Sequence, residues 1–272
     1  MAIGKLFREG LPFANVIASG IATSQITPGR TLEAIMLQLG GTTFTKAMIT
    51  LIKLKANGKV IYEATGAQID KINAFRGLTA AATFLPIFFT ETKGRDRVDQ
   101  MVGAFDTSRG IQNITLEVTI AGATAPTLKM YLLESRPQAE SYSPVISKVL
   151  RYPFDKSTGG KLAVNLPFGN QGAVLKRLHV EYSGAAGNMQ AAQVKQDGLV
   201  VHESSTAAND FLNTVHGRVN QTNTYTLDFG VDDNSMNLLD TRDARSLEFV
   251  PDFIGAANGF VIAEYLDTLE NL

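Results

Sequence analysis

The chain has no cysteine and no tryptophan among its 272 residues. The lack of cysteine excludes disulfide bonds, thiolate zinc sites and cysteine nucleophiles together, and it fits assembly in a reducing cytoplasm. The lack of tryptophan disfavours sugar-binding sites, which usually present aromatic platforms to the ligand. Two large classes of chemistry therefore start at a disadvantage before any motif is considered.

A basic excess is also missing. Lysine and arginine number 25 against 26 aspartate and glutamate residues, which gives a formal net charge of -1. A protein that binds nucleic acid directly needs cations to neutralise the phosphate backbone. The balance of charge therefore argues against a role in reading or packaging nucleic acid.

Long apolar runs are absent as well, since the longest spans the 12 residues from Leu78 to Phe89 and contains Pro86. A membrane-spanning helix needs about 20 apolar residues, so none is predicted. Near the N-terminus, two basic residues precede a semi-apolar stretch, in a pattern similar to a signal peptide. Polar residues and a proline interrupt that stretch, so we predict an ordered arm or a first strand there instead.

The sequence repeats itself. Asn57-Gly58 and Asp197-Gly198 each stand between β-rich runs, and their residue numbers differ by 140. Such pairs accept positive φ at both central positions of a type I′ turn, so each is predicted to close a hairpin. A predicted short helix follows each hairpin and ends at Gly77 or Gly217, because glycine suits the left-handed C-cap.

Further matches follow in the same order, and their spacing varies as surface loops change length. They are Pro12-Phe13 with Pro153-Phe154, Ile35–Gly41 with Leu178–Gly184, Asp70 with Asp210, Asn73 with Asn213, Phe105–Thr107 with Leu239–Thr241, and Tyr131-Leu132 with Tyr265-Leu266. The paired Asp and Asn residues are predicted to share a structural role, such as capping a helix or tying it to the barrel. We infer a duplicated domain of about 130 to 140 residues.

Short strands dominate both copies. With a strand near Val16 in the first copy and one at Leu162–Leu166 in the second, each copy has seven or eight strands separated by Gly and Pro turns. Eight short strands in two facing sheets form a jelly roll. The predicted fold is therefore all-β, with two tandem eight-stranded jelly rolls and short helices in the loops.

The junction between the copies is predicted where strand patterning lapses, from Pro137 to Pro153. A chain of this length exceeds the usual size of one domain, so two separate cores are expected. We place the boundary near Ser141, which gives a first jelly roll at residues 1–140 and a second at residues 141–272.

Candidate catalytic chemistry is sparse. The three histidines, His179, His202 and His216, are predicted to point outward from a strand, to follow a hairpin and to lie beside a helix-terminal glycine. None has a histidine at the equivalent position of the other copy. Zinc needs clustered ligands, and a hydrolytic triad needs a serine on a defined elbow. We therefore predict no catalytic residues, no cofactor-binding residues and no enzymatic activity.

Two loops have a composition similar to that of binding loops. Ser157–Lys161 is rich in glycine but lacks the spacing of a phosphate loop, so it is predicted to be an ordinary turn. The acidic tract Asp228, Asp232, Asp233 and Asn234 offers oxygen ligands without the spacing of an EF-hand. A solvated loop is preferred there, and a structural calcium ion completed by a neighbouring subunit is left open.

Five segments taken in order resemble the major capsid protein of corticovirus-type phages, which are tailless icosahedral phages with an internal lipid membrane. They are PFANVIASG from Pro12, TLEAIMLQLGG from Thr31, the Asn57-Gly58 hairpin, NTYTLDFGV from Asn223 and FVIAEYLD from Phe260. The resemblance covers nearly the whole chain. It implies two upright jelly rolls side by side, and three chains forming a capsomer with six similar sides. Such capsomers would tile an icosahedral shell around the membrane.

The same resemblance implies the partners of the chain. These are the other chains of a homotrimer, neighbouring capsomers, a penton or vertex protein and viral membrane proteins, with no direct contact to nucleic acid. The implied location is the virion capsid, after assembly in the host cytoplasm. The N-terminal arm, with Lys5, Arg8 and Phe13, is expected to face the membrane or its proteins.

Two alternatives from other classes are left open. One is a carbohydrate-binding or adhesive β-sandwich protein of a phage spike, for which seven tyrosines and no tryptophan offer few aromatic platforms. The other is an enzyme on a duplicated barrel, as in bicupins. Cupins hold metal through clustered His and Glu, and three scattered histidines do not supply two such sets.

Overall fold

The structure, a computed structural model, describes residues 4–94, 96–138, 145–166 and 173–268. Its strands, named in chain order, are β1 Lys5–Glu9, β2 Gly20–Ile26, β3 Thr31–Thr43, β4 Ile49–Ala56, β5 Lys59–Ala64, β6 Phe84–Phe88, β7 Phe105–Asp106, β8 Ile114–Ile120, β9 Thr124–Ser135, β10 Val145–Lys156, β11 Gly160–Lys161, β12 Val164–Asn165, β13 Val174–Tyr182, β14 Met189–Gln196, β15 Leu199–Ser205, β16 Thr224–Asp228, β17 Leu239–Asp240, β18 Leu247–Phe253 and β19 Ala257–Thr268. The α-helices are α1 Gly66–Phe75, α2 Arg97–Met101 and α3 Thr206–Val215. No helix in the described ranges is long and apolar enough to cross a membrane.

Contacts divide the chain into two compact units. Unit 1 comprises residues 1–74, 78–149 and 268–272, and unit 2 comprises residues 75–77 and 150–267. The predicted domain boundary at Ser141 lies outside the described residues and stays a prediction.

The predicted lapse of strand patterning up to Pro153 is wrong in its second part, because Val145–Lys156 forms the strand β10. Ser147 and Lys148 in this strand are almost completely buried. Polar residues at buried positions remove the alternation of apolar and polar residues by which a half-buried strand is recognised.

Unit 1 is a jelly roll built from two four-stranded sheets. One sheet has the order β1-β9-β3-β6, with β7 also pairing with β3, and the other has the order β2-β8-β4-β5. If the eight main strands are lettered B to I along the chain, these orders are B-I-D-G and C-H-E-F, the arrangement of a jelly roll. Tyr62 of β5 pairs in parallel with Val149, which contacts assign to unit 1.

Unit 2 repeats this topology. Its B-I-D-G sheet has the order β10-β19-β13-β16 with β17 on β13, and its C-H-E-F sheet has β11 and β12 on β18, then β14 and β15. The core between the sheets is apolar and includes Leu178, Val180, Tyr225, Phe249, Phe253 and Tyr265. For each B-I-D-G sheet we call the side that faces away from this core the outer face.

The registers of the ladders confirm the duplication in detail. An irregularity in the β4–β5 hairpin lies between Leu54 and Lys55, and the same irregularity lies between Val194 and Lys195 in β14–β15. These positions are 140 residues apart, as the two glycine turns predict. Both turns also have positive φ at their two central residues, which is the type I′ conformation.

One match made from the sequence is wrong. Met36 of β3 pairs with Tyr131, whereas His179, the residue equivalent to Met36, pairs with Ile262. Ile262 therefore takes the place of Tyr131 in the second copy. Tyr265 lies three positions further on, so it points to the opposite face of the sheet and is completely buried in the core.

The N-terminal strand is present but lies elsewhere than Val16. β1 begins at Lys5 and pairs antiparallel with β9, which confirms an ordered first strand. Val16 lies in the connection from β1 to β2, next to Asn15, which adopts a positive φ of 59°. A left-handed residue interrupts an extended strand, so the semi-apolar stretch around it forms a loop.

The paired asparagines tie each helix to its sheet, as predicted. The Asn73 Nδ2 donates to the carbonyl oxygen of Pro86 at 2.8 Å, and the Asn213 Nδ2 donates to that of Thr226 at 3.0 Å. Pro86 on β6 and Thr226 on β16 are themselves equivalent in the two ladders. The paired aspartates differ: Asp70 pairs with Lys46, whereas Asp210 accepts from Asn220 through its backbone.

Replacing Asn73 by alanine is expected to lower the free energy of unfolding by about 1–3 kcal/mol, because the Pro86 carbonyl loses its donor. Chemical denaturation of the purified protein measures the difference. The control is Ala67→Ser at an exposed position of the same helix, with an expected change below about 0.5 kcal/mol. Equal losses in the two variants would contradict the proposed role of Asn73.

Candidate functional site

A cluster of buried charged residues lies on the outer face of the B-I-D-G sheet in unit 2. We call it the charge network, and its members are Arg76, Arg177, His179, Arg218, Asp228, Asp233 and Glu264. All except Asp233 are almost completely buried. Three arginines face three carboxylates, so the charges balance within the network.

Glu264 on β19 is the centre of the network. Its carboxylate accepts two hydrogen bonds from the Nη2 of Arg76, at 2.9 and 2.7 Å, and one from the Nη1 of Arg177 at 3.1 Å. The Nε2 of His179 lies 3.1 Å from its Oε1. A buried carboxylate needs such partners because its desolvation is costly.

Asp228 on β16 continues the network. Its Oδ2 lies 2.9 Å from the Nε of Arg177 and 3.4 Å from the Nε of Arg218. Arg218 in turn donates to Asp233 at 2.7 Å. Positive and negative side chains therefore alternate across the sheet, which keeps like charges apart.

The strand period explains why these residues meet. Arg177 and His179 are two positions apart on β13, so they share the outer face, while Leu178 between them points into the core. Arg177 pairs with Glu264 on one side and with Asp228 on the other. Opposite charges thus face one another across two neighbouring ladders.

Burial alone raises the pKa of Glu264, but the cations around it outweigh that effect. Arg76 contributes most, followed by the hydrogen bond from His179 and the charge of Arg177. Together they hold the pKa of Glu264 well below its usual range. The carboxylate is therefore charged in the folded protein at neutral pH.

His179 points outward from the strand, as predicted, but it is not exposed. The side chain does lie on the outer face, but it is buried, because Phe75 packs edge-on against the imidazole with a distance of 5.7 Å between ring centroids. Its Nδ1 also lies 2.9 Å from the Thr226 hydroxyl. The covering residue is about 100 positions away in sequence, so the pattern of β13 alone does not reveal it.

The other two histidines lie apart from the network. His202 follows the second hairpin, and its Nε2 lies 3.0 Å from the Ser204 hydroxyl, while burial lowers the pKa of the imidazole. His216 is exposed and caps α3 beside Gly217, as predicted. The structure therefore does not bring the three histidines together.

The acidic tract does not converge on a common point. Asp228 and Asp233 both contact Arg218, and Asp232 accepts a hydrogen bond from Asn237 at 2.9 Å. Within the described ranges, no group of three or more His, Asp or Glu side chains is arranged to hold a metal ion. The glycine-rich segment Ser157–Lys161 is a turn that leads into β11, as predicted.

An apolar surface was not predicted from the sequence. We call it the apolar patch, and it consists of Leu199, Val200 and Val201 on β15 and Phe211, Leu212 and Val215 on α3. The exposed fraction of Phe211 is 71% and that of Leu199 is 70%. In the sequence, apolar residues such as these suggest a core. The only sign of their exposure is that Leu199–Val201 are three consecutive apolar residues, without the alternation of a half-buried strand.

Family comparisons match nearly the whole chain. The model described as the viral coat protein P2 N-terminal domain matches residues 7–133, and that of the viral coat protein P2 C-terminal domain matches residues 146–269. No curated protein sequence matches the chain.

Solved structures show the same fold. The major capsid protein P2 from bacteriophage PM2 is 19% identical, with a TM-score of 0.85 and coverage of 97% of both chains. The major capsid protein of Sulfolobus turreted icosahedral virus is 14% identical, with a TM-score of 0.76 and coverage of 97% of both. The PBCV-1 virus capsid protein is 11% identical, with a TM-score of 0.65 and coverage of 97% and 94%. Two tandem jelly rolls are confirmed as the fold.

Replacing Glu264 by glutamine is expected to lower the free energy of unfolding at pH 7 by about 3–5 kcal/mol, because it leaves buried arginines without their carboxylate. The pKa of Glu264 is depressed by folding, so its contribution is complete above its ordinary value of 4.5 and is lost as the pH falls below that value. The free energy of unfolding, measured from pH 7 to pH 3, should therefore fall less steeply in the variant below about pH 4.5.

The matched control is Glu248→Gln, at a half-buried position of β18 in the same unit. Its expected loss is below about 1 kcal/mol. A Glu264→Gln protein that kept the stability and acid sensitivity of the parent would show that the network is not what secures this face.

Proposed function

This chain belongs to the viral coat protein P2 family, and on that premise we propose that three copies form a capsomer with six similar sides. The chain is a viral major capsid protein, located in the virion capsid, and it is a structural protein and not an enzyme. Membership of this family decides against the adhesive spike protein and the duplicated-barrel enzyme.

The duplicated topology is the observation that supports the trimer most strongly. Both units have the strand orders B-I-D-G and C-H-E-F, with the same helix position and the same hairpin irregularity. Three chains with two such rolls each supply six similar walls. A trimer can therefore fill a hexagonal position of an icosahedral shell.

The open edge of β15 supports self-association. Among the strands that the structure describes, β15 ends its sheet and pairs with β14 on one side. It exposes Leu199, Val200 and Val201. In β5, the equivalent strand of unit 1, Ile61 is completely buried and Tyr62 pairs with Val149. An exposed apolar edge strand invites pairing or packing with another chain. We propose that neighbouring copies cover it.

We further propose that the shell encloses an internal membrane and contacts a vertex protein and viral membrane proteins, after assembly in the host cytoplasm. The resemblance to corticovirus-type capsid proteins and the net charge of -1 support this arrangement. Two cations of the N-terminal strand are paired, since Lys5 lies 2.9 Å from Glu33 and Arg8 lies 2.8 Å from Glu134. A membrane contact of β1 would therefore depend on exposed apolar residues such as Phe7.

The expected state of the purified chain in solution is a trimer with three times the monomer mass of 29.3 kDa. Native mass spectrometry gives the mass, and negative-stain imaging gives the outline, which should have six similar sides. The interface should be large, of the order of 2,000 Å² or more, so the trimer should persist at micromolar concentration. A monodisperse monomer would contradict the proposal.

A further inference from the structure

We propose that the C-terminal half of α3 in one copy packs on the outer face of the B-I-D-G sheet in unit 1 of a second copy. The helix knob consists of Phe211, Leu212 and Val215, and the sheet socket consists of Met36, Pro86, Phe88 and Leu133. This inference rests on the proposed trimer and assigns residues to its interface.

In unit 2, the residues at the end of a helix already pack on the outer face of the B-I-D-G sheet. Residues 75–77 belong to unit 2, where Phe75 packs against His179 and Arg76 binds Glu264 on the outer face. The carbonyl oxygen of Phe75 also accepts a hydrogen bond from the backbone of Val219 at 3.0 Å. The end of a helix thus covers the outer face of this sheet.

The duplication identifies the equivalent knob. Val215 stands 140 positions after Phe75, at the end of α3. Phe75 has an exposed fraction of 1%, whereas Val215 has one of 62%. The end of α3, which is equivalent to the covering segment at Phe75, is therefore exposed in a single chain.

The duplication also identifies the equivalent socket. In the ladders, Met36 takes the place of His179, Phe88 that of Asp228, and Leu133 that of Glu264. The three apolar replacements are each partly exposed, whereas their polar counterparts are buried. A depression of about 110 Å³ adjoins this face of unit 1. Its walls are mostly apolar and include Met36, Phe84 and Phe88, and the Lys46–Asp70 ion pair and Asn73 line one side.

Charge has changed on both sides of the contact together. The ionic residues of the covered face, Asp228 and Glu264, become Phe88 and Leu133 in unit 1. The arginines that bind them, Arg76 and Arg218, become His216 at the end of α3 and Leu78 after α1. A segment with an arginine thus covers a face with buried carboxylates, and a helix end with exposed apolar residues matches apolar positions of the sheet. This complementarity selects a second copy of this chain as the occupant.

The orientation of α3 supports the same conclusion. This helix buries Asn209 and Asn213, which both donate to the Thr226 carbonyl oxygen, and exposes its apolar residues. A surface helix normally does the opposite. In α1, the residues equivalent to Asn209, Leu212 and Val215 are Ile69, Ile72 and Phe75, and all three are buried.

The contact joins two different surfaces, so it is heterologous. Each copy carries one knob and one socket, and such contacts form a closed ring when the rotation between copies allows it. A ring of three copies uses every knob and every socket once.

Cysteine cross-linking tests the inference, because the chain has no native cysteine. Phe75 packs on His179, so the equivalent pair is Val215 and Met36 of the next copy. A Met36→Cys, Val215→Cys double variant should form intermolecular disulfides under mild oxidation, giving covalent dimers and trimers on a denaturing gel. The control pair Val98→Cys, Val215→Cys uses another exposed residue of unit 1 and should stay monomeric.

A second measurement does not depend on disulfide geometry. Val215→Asp should weaken trimer association by about 100-fold or more in sedimentation equilibrium, since it would bury an unpaired charge. Met236→Asp is the control, because Met236 is also apolar, in unit 2 and exposed, but lies outside the knob. Its association should be that of the parent. A far-ultraviolet circular dichroism spectrum like that of the parent, together with a cooperative thermal transition, would show that the fold of the dissociated Val215→Asp protein is intact.

The outcomes separate this inference from the proposed function. If the parent is a trimer while the Met36–Val215 pair gives no cross-link and Val215→Asp stays trimeric, the trimer stands and the knob-and-socket contact is wrong. If the parent is a monomer, the trimer itself is wrong. If the apolar patch binds a vertex or membrane protein and not a second copy, both variants leave the trimer unchanged.

Discussion

The outer face of each B-I-D-G sheet must be covered, and how it is covered distinguishes the two halves of the chain. In unit 2 the cover is ionic: Arg76 and Arg177 neutralise Glu264 in a position from which water is excluded. In unit 1 the positions equivalent to the network, Met36, Phe88 and Leu133, are apolar and partly open. Because an open apolar face is unfavourable in water, this asymmetry directs the chain toward assembly. A duplicated fold thereby acquires one surface that is complete within the monomer and one that is incomplete.

The sequence predicted best those features that depend on residues close together in the chain. The turns at Asn57-Gly58 and Asp197-Gly198, the helices that follow them and the short strands all depend on local conformational preferences, which are repeated in two copies. Burial was harder to predict, because it depends on residues distant in sequence. His179 lies on an alternating strand, and nothing near it in sequence shows that it is buried. Ser147 and Lys148 are polar but buried, so β10 could not be recognised as a strand.

Sequence reasoning also missed the apolar patch. Phe211, Leu212 and Val215 have the composition of core residues, and only the structure shows that α3 buries its asparagines in their place. An apolar residue in a core and one in an interface look the same in a single sequence.

The central claim is that the exposed end of α3 completes the open sheet of a second chain. A cryo-electron microscopy reconstruction of the assembled capsomer, at a resolution that shows side chains, tests it most directly. The account predicts Val215 of one chain packed against Met36 and Phe88 of the next, three times around a ring. Density that placed α3 in solvent, or against a different protein, would contradict it.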